Sequence, residues 1–312
     1  MKHRYQWDAD GVAHTVQFTR VPGTGNTPFL FGRMDGMPIH VGDFHMATTP
    51  VTQAFWTHVM GLNPARRVDP NAPVVDVSWL QITQVDGFLD RLNTSPIRRA
   101  VAGDDDSLHF RLPSETEWEY AARGGPQWRD GFVFSGSDDS DAVAWYGPRW
   151  RAWRSWAARL LGPRLGWHMM GRRRYTLRGP TRTHAVATKS PNQLGLYDLS
   201  GNVWEWCQDV CTDDLRQIPL DGRPYNGPGD ERRLRGGCHN NWDLHCTVSW
   251  RYGITPDWHD GDIGLRLVLA PAADRLSSPA TPRSDRSGSP DAPASSTPPT
   301  RSRSSLPQQP PA

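Results

Sequence analysis

Gly195-Leu-Tyr-Asp-Leu-Ser-Gly-Asn-Val-Trp-Glu-Trp206 is the stretch on which the reading of this chain turns. It joins a strand-like apolar run, two turn glycines and a glutamate set between two tryptophans. Strand alternation places Val203 and Glu205 on one face and Trp204 and Trp206 on the other. Glu205 then falls in an apolar neighbourhood, where a bare carboxylate is costly. It requires a fixed partner, either an arginine such as Arg235 or Arg266, or a metal ion.

Upstream, Ser114-Glu-Thr-Glu117 reads as a capping box, with Ser114 accepting from the Glu117 amide while the Glu117 side chain returns to the Ser114 amide. Pro113 disfavours an earlier helical start at Leu112. Thr52 to Met60 is a second helical pattern, capped by Thr49 or Thr52. Trp79 to Asn93 is a third, capped by Ser78, with Leu80, Val85, Phe88, Leu89 and Leu92 at roughly helical spacing. After Gly124, short apolar runs separated by Gly, Pro, Asn and Asp predict loops and short strands up to Leu269. So much irregular chain needs a rigid scaffold and often carries function.

With 312 residues the chain has room for one large domain or two small ones, yet only 37% of it is hydrophobic. The shortfall lies in residues 272–312, which hold no aromatic residue and are dominated by Pro, Ser, Thr and Arg. Such a segment buries too little apolar surface to offset its ordering entropy, so it is expected to be a disordered tail. The net charge is +2, but Pro148 to Arg182 holds ten Arg and no acid, which leaves the remaining body acidic. The absence of an apolar N-terminal stretch and of a run of about 18 apolar residues predicts a soluble, cytoplasmic protein with no membrane span. Cys207-x-x-x-Cys211 lacks the second pair that a structural zinc site needs.

Within the basic segment, a helix over Arg149 to Leu161 puts Trp150, Trp153, Trp156, Leu160 and Leu161 on one side and Arg151, Arg154 and Arg159 on the other, with Gly162-Pro163 as its stop. Such a helix wants a partner surface. Three readings stand: packing on its own domain or a sister subunit; contact with nucleic acid or another anionic partner through Arg172-Arg-Arg174 with aromatic stacking; or a membrane-surface role.

The opening stretch resembles the GLYDMxGNVWEW signature of the formylglycine-generating-enzyme, or sulfatase-modifying-factor, family. Three further segments agree in order. They are Pro50-Val-Thr-Gln-Ala-Phe-Trp56 with Val74-Val-Asp-Val-Ser-Trp79; Phe110-Arg-Leu-Pro-Ser-Glu-Thr-Glu-Trp-Glu-Tyr-Ala-Ala-Arg-Gly-Gly125; and Leu234-Arg-Gly-Gly237 with Ile263-Gly-Leu-Arg-Leu267. The resemblance implies an α+β, C-type-lectin-like fold over residues 1–271, loop-rich with few helices and small twisted sheets. The basic segment at about 146–182 then reads as an insertion. It also implies a structural Ca2+ site using the Asp198 and Glu205 side chains and the Gly201 and Val203 carbonyls, an oxygen set that suits a hard cation.

Activity is a separate question. The family's oxidases bind copper through Cys-x-x-x-x-Cys shortly after RGGS, a soft thiolate pair that suits Cu(I). In this chain Cys246 stands at the second position, Asn241 at the first, and Cys238 replaces the Ser of RGGS, so the pair is broken. The sulfoxide synthases related to this family draw their histidine ligands from a preceding helical domain, for which the chain shows no counterpart before residue 30. His239, His245 and His259 have no ligand spacing of their own.

Read instead as a recognition surface, the segment from Cys238 to Asp262 offers His239, Asn240, Asn241, Trp242, His245, Trp250, Tyr252, Ile254, Trp258, His259 and Asp260. Aromatic side chains with adaptable polar neighbours compose binding surfaces, although small loop-rich domains also bury tryptophan in their cores. The segment is similar to the variable proteins of diversity-generating retroelements, with Asn240, Asn241, Cys246 and Arg251 at matching positions. Adenine-directed mutation of an Asn codon does not produce Trp, so Trp242 and Trp258 need another origin. The expected function is non-catalytic binding of a protein or small-molecule ligand. The alternative is a copper oxidase acting on a protein cysteine through Cys238 and Cys246.

Overall fold

The computed structural model describes residues 3–32, 36–147 and 182–271. The helix expected at Arg149 to Leu161 and the tail from residue 272 lie outside the described residues. The strands are β1 (Arg4–Ala9), β2 (Val12–Val21), β3 (Phe29–Phe31), β4 (Met37–Ile39), β5 (Phe44–Ala47), β6 (Leu108–Arg111), β7 (Trp204–Val210), β8 (Arg232–Arg235), β9 (Tyr252–Ile254), β10 (Ile263–Leu265) and β11 (Val268–Pro271). The helices are α1 (Gln53–Met60), α2 (Trp79–Thr83), α3 (Phe88–Thr94), α4 (Pro96–Ala102), α5 (Glu115–Ala122) and α6 (Ser140–Val143). Among the described residues no helix is long and apolar enough to cross a membrane.

Two sheets organise the domain. The first has the order β1-β2-β5-β11-β6, so the last strand in sequence pairs antiparallel with both β5 and β6. Alternation along β11 explains its continuous apolar run. Leu267 and Leu269 join one core cluster with Phe18, Phe55 and Trp206, while Val268 and Ala270 join another with Phe29, Trp118 and Tyr120. A strand covered on both faces has no solvent side to mark with polar residues.

The second sheet has the order β10-β7-β8-β9 and carries the Trp-Glu-Trp run on β7. Glu205 lies opposite Gly264 of β10 in parallel register and opposite Arg235 of β8 in antiparallel register. Gly264 is required by close approach: a Cβ there would lie 2.5 Å from the Val74 carbonyl oxygen. The sequence alternation holds along β7, but both faces are buried, Trp206 and Glu205 alike.

Local signals place the helices. Thr52 accepts from the Phe55 amide at the start of α1, and the Ser114–Glu117 capping box opens α5 with both of its bonds made. A cap of this kind is worth about 1 kcal/mol. The single helix expected over Trp79 to Asn93 is instead two. Asp86 turns into the left-handed region at φ 59°, and a Cβ on Gly87 would lie 2.7 Å from the Gln81 carbonyl oxygen, so the chain folds back on itself there. Val85, counted as a core position by its spacing, is 83% exposed in that turn.

Candidate recognition site

The partner of Glu205 is Arg266. Its Nη2 donates to Oε1 at 2.7 Å and its Nε lies 3.0–3.1 Å from both oxygens, while Trp118 Nε1 donates to Oε2 at 2.7 Å. The remaining Arg266 donors go to the Ala47 and Tyr197 carbonyls. Both charged side chains are fully buried. Of the two partners the sequence left open for Glu205, arginine is the one in place.

That assignment bears on the expected calcium set. Glu205 is already neutralised by a guanidinium, so it does not fit a second cation. Asp198 differs: burial raises its carboxyl above the usual carboxylate range, and its oxygens accept from the Ala187 amide and from Asn202. The Gly201 carbonyl already accepts from the Val203 amide at 2.9 Å. Gly201 itself is fixed by sterics, because at φ 79° a Cβ would lie 2.1 Å from the Trp145 carbonyl oxygen. Of the two side chains in that set, Asp198 is the one not bonded to a guanidinium.

Beneath the 238–262 segment lies a second, larger charge network. The capping box sets the phase of α5 so that Glu115 and Glu119 both point inward and are fully buried. Arg251 meets Glu115 through two bonds of 2.7 Å, Arg233 approaches it at 3.2 Å, and Arg235 is bonded to Glu119. Arg235 also donates to the Trp250 and Val248 carbonyls, so the base of the segment is tied directly to α5. Burial pushes Glu115 up, but Arg233, Arg251 and Arg235 outweigh it and hold its carboxyl at about 2. Asp209 accepts from the Glu115 and Tyr225 amides, yet burial and the nearby Glu115 charge raise it to about 7.

The structure divides the expected recognition residues. The consecutive left-handed glycines Gly236 and Gly237 (φ 94° and 71°) turn the chain inward after β8, so Cys238 and His239 become buried. His239 is therefore no surface contact; its Nδ1 sits 2.9 Å from the Asn202 carbonyl oxygen. Trp250 and Ile254 are half-buried and pack on the core. His245 lies between Trp242 and Trp250, with ring centroids 6.1 and 4.5 Å away, and burial lowers it to about 4. Asn241 and Trp242 are half-buried, and the Asn241 carbonyl accepts from the Gly147 amide. Asn240, Tyr252, Trp258, His259 and Asp260 remain exposed.

Cys238 and Cys246 are fully buried, and burial pushes both thiols up, which keeps them protonated. Cys246 Sγ lies 3.9 Å from the Cys238 carbonyl oxygen, and Cys238 Sγ lies 3.4 Å from Asp262. Two residues that face the exposed rim escaped the sequence reading: Asp76, whose oxygens lie near Arg66 and His259, and Arg66 itself. A signal existed, since Asp76 interrupts the apolar run Val74-Val75-Asp76-Val77.

These features define the class. The family model "Sulfatase-modifying factor enzyme 1-like domain" matches residues 24–271, and the chain belongs to that family. Within it, the chain is 32% identical over 222 residues to the formylglycine-generating enzyme of Streptomyces coelicolor, covering 70% of this chain and 59% of that one. It is 31% identical over 189 residues to the "Chaperone protein LppX" of Paenibacillus barcinonensis, covering 54% and 63%. The chain thus spans about three fifths of the length of these relatives. Among solved structures, Treponema denticola variable protein 1 superposes with a TM-score of 0.60 at 24% identity, covering 86% of this chain and 99% of that one. The fold is α+β and C-type-lectin-like.

Proposed function

We propose that this chain is a non-catalytic binding module whose recognition face is the exposed rim of the 238–262 segment, of the kind found in retroelement-diversified variable proteins. The observation that carries it is the broken copper pair: Asn241 occupies its first position, and Cys238 and Cys246, the cysteines that remain, are both fully buried. Supporting it, Tyr252 and Trp258 are 37% and 44% exposed on a segment whose base is rigidly anchored.

The competing reading is a copper-dependent oxidase of a protein cysteine, favoured by the relationship to formylglycine-generating enzymes and by the closeness of Cys246 to the Cys238 backbone. Titrating the reduced protein with Cu(I) against a chromogenic chelator decides between them. The binding reading expects the chelator to retain the copper. Stoichiometric capture, abolished by both Cys238→Ser and Cys246→Ser, would establish the oxidase instead. Ca2+ is proposed only at Asp198 with the Gly201 and Val203 carbonyls, as a support of the scaffold. An anionic partner is proposed for the 146–182 insertion on the strength of its ten arginines.

A further inference from the structure

Asp76 is the one buried carboxylate among the described residues with an oxygen that lacks any hydrogen-bond partner. Its side chain is 9% exposed, and the orphan is Oδ2. Glu115, Glu119 and Glu205 are buried too, but each is bonded directly to arginine. Around Asp76 the cations stand off: Arg66 Nε is 3.8 Å from Oδ2 and His259 Nδ1 is 4.0 Å from Oδ1, beyond hydrogen-bond reach. Both side chains extend into solvent, 89% and 55% exposed, so either can yield its place at small cost.

The position is held from behind. The Asp76 amide donates to the Asp260 carbonyl, and the Leu80 amide donates to the Pro256 carbonyl, which fixes the 255–261 turn against the start of α2. That turn adds Trp258, 44% exposed, and the exposed acids Asp257 and Asp260. A left-handed Asp in a tight turn accounts for the backbone at Asp76, φ 61°, but not for a buried oxygen left without a donor.

We infer that Asp76, with Trp258 and Asp260, forms a subsite for a cationic group of the ligand, a guanidinium or ammonium that displaces Arg66 and completes the hydrogen bonding of Oδ2. An unpaired buried carboxylate gains most from a charged donor, and Trp258, exposed on the turn to which the Asp76 backbone is bonded, offers an aromatic face for cation–π attraction. The site rests on the recognition-face reading above and names the chemistry that this face selects.

The test titrates the full chain with N-acetyl-arginine methylamide and N-acetyl-lysine methylamide, using N-acetyl-citrulline methylamide as the uncharged isostere, by two-dimensional NMR. The charged probes bind saturably and the citrulline probe does not. Asp76→Asn, which tolerates the left-handed backbone, weakens the charged probes about tenfold. Arg66→Ala removes the internal competitor and tightens them about two- to threefold, a gain that a merely structural Asp76 would not produce. Comparing agmatine with the peptide Ac-Gly-Arg-Gly-Gly-amide separates the sources: a tighter peptide indicates a protein ligand, and equal or tighter agmatine a small cation. Equal binding of arginine and citrulline probes, indifference to Asp76→Asn, or no saturation at about 50 mM overturns the subsite. Those outcomes with copper still retained by the chelator leave the recognition face standing; tight copper capture removes that face whatever the probes do.

Discussion

The two ends of the 238–262 segment use the same ions in opposite ways. At its base, the fully buried Glu115 and Glu119 meet Arg233, Arg235 and Arg251 through short and mostly direct bonds. At its rim, Asp76 faces Arg66 and His259 across 3.8 and 4.0 Å, with one oxygen unsatisfied. Matched donors and acceptors hold a structure in place, while an unmatched one keeps capacity for something outside the chain. The contrast locates stability at the base and recognition at the rim.

The largest test of that contrast breaks a buried pair. Glu205→Ala leaves the Arg266 guanidinium buried with two carbonyl partners and no counter-ion, and is expected to cost about 3–5 kcal/mol in chemical denaturation. Replacing both, Glu205→Leu with Arg266→Met, removes the stranded charge and should cost less than the single change. A double variant worse than the single would show that the pair contributes net stability of its own.

A second, smaller effect is readable through pH. Asp209 has a folded value of about 7 against an ordinary 3.8, so the folded chain holds a proton that the unfolded chain has released in that interval. This contribution is complete below the unfolded value and is lost as pH rises through about 7. Glu115 acts with the opposite sign: held at about 2 against 4.5, it stabilises above its ordinary value and fails only as the pH falls towards 2. Because burial lowers His45, His58 and His245, their contributions run opposite to that of Asp209, and the wild-type curve alone mixes signs. The difference between wild type and Asp209→Asn isolates the term. Wild-type stability relative to the variant should fall by roughly 2–3 kcal/mol between about pH 5 and pH 8. A flat difference would mean that Asp209 is ionised throughout.

The buried ion pairs were more legible in the sequence than the rim. Glu205 announces its need because it stands between two tryptophans, and Ser114–Glu117 announces α5 through a local bond pattern. Neither signal gives the partner: Arg266 is 61 residues from Glu205, and Arg235 is 116 from Glu119. The rim failed for a different reason. Composition marks His239, Trp250 and Ile254 as contact residues as readily as Trp258, and only the inward turn at Gly236-Gly237 and the packing of β9 sort them. The break between α2 and α3 was hidden because apolar spacing carried on through a turn whose cause is the close approach at Gly87.

The smallest expected effect sharpens the comparison from the other side. Trp258 is nearly half exposed, so truncation removes little buried surface, and Trp258→Ala should cost less than about 1 kcal/mol. Tyr252 is somewhat better covered and its ring lies 5.5 Å from that of Trp204, so Tyr252→Ala should cost slightly more while staying in that range. Chemical denaturation of both variants beside Glu205→Ala checks the ordering, and fluorescence quenching by acrylamide should reach Trp258 but not Trp206. If Trp258→Ala approached the cost of breaking the Glu205 pair, the ring would belong to the core, and an aromatic kept on the surface at little structural benefit would no longer need a ligand to explain it.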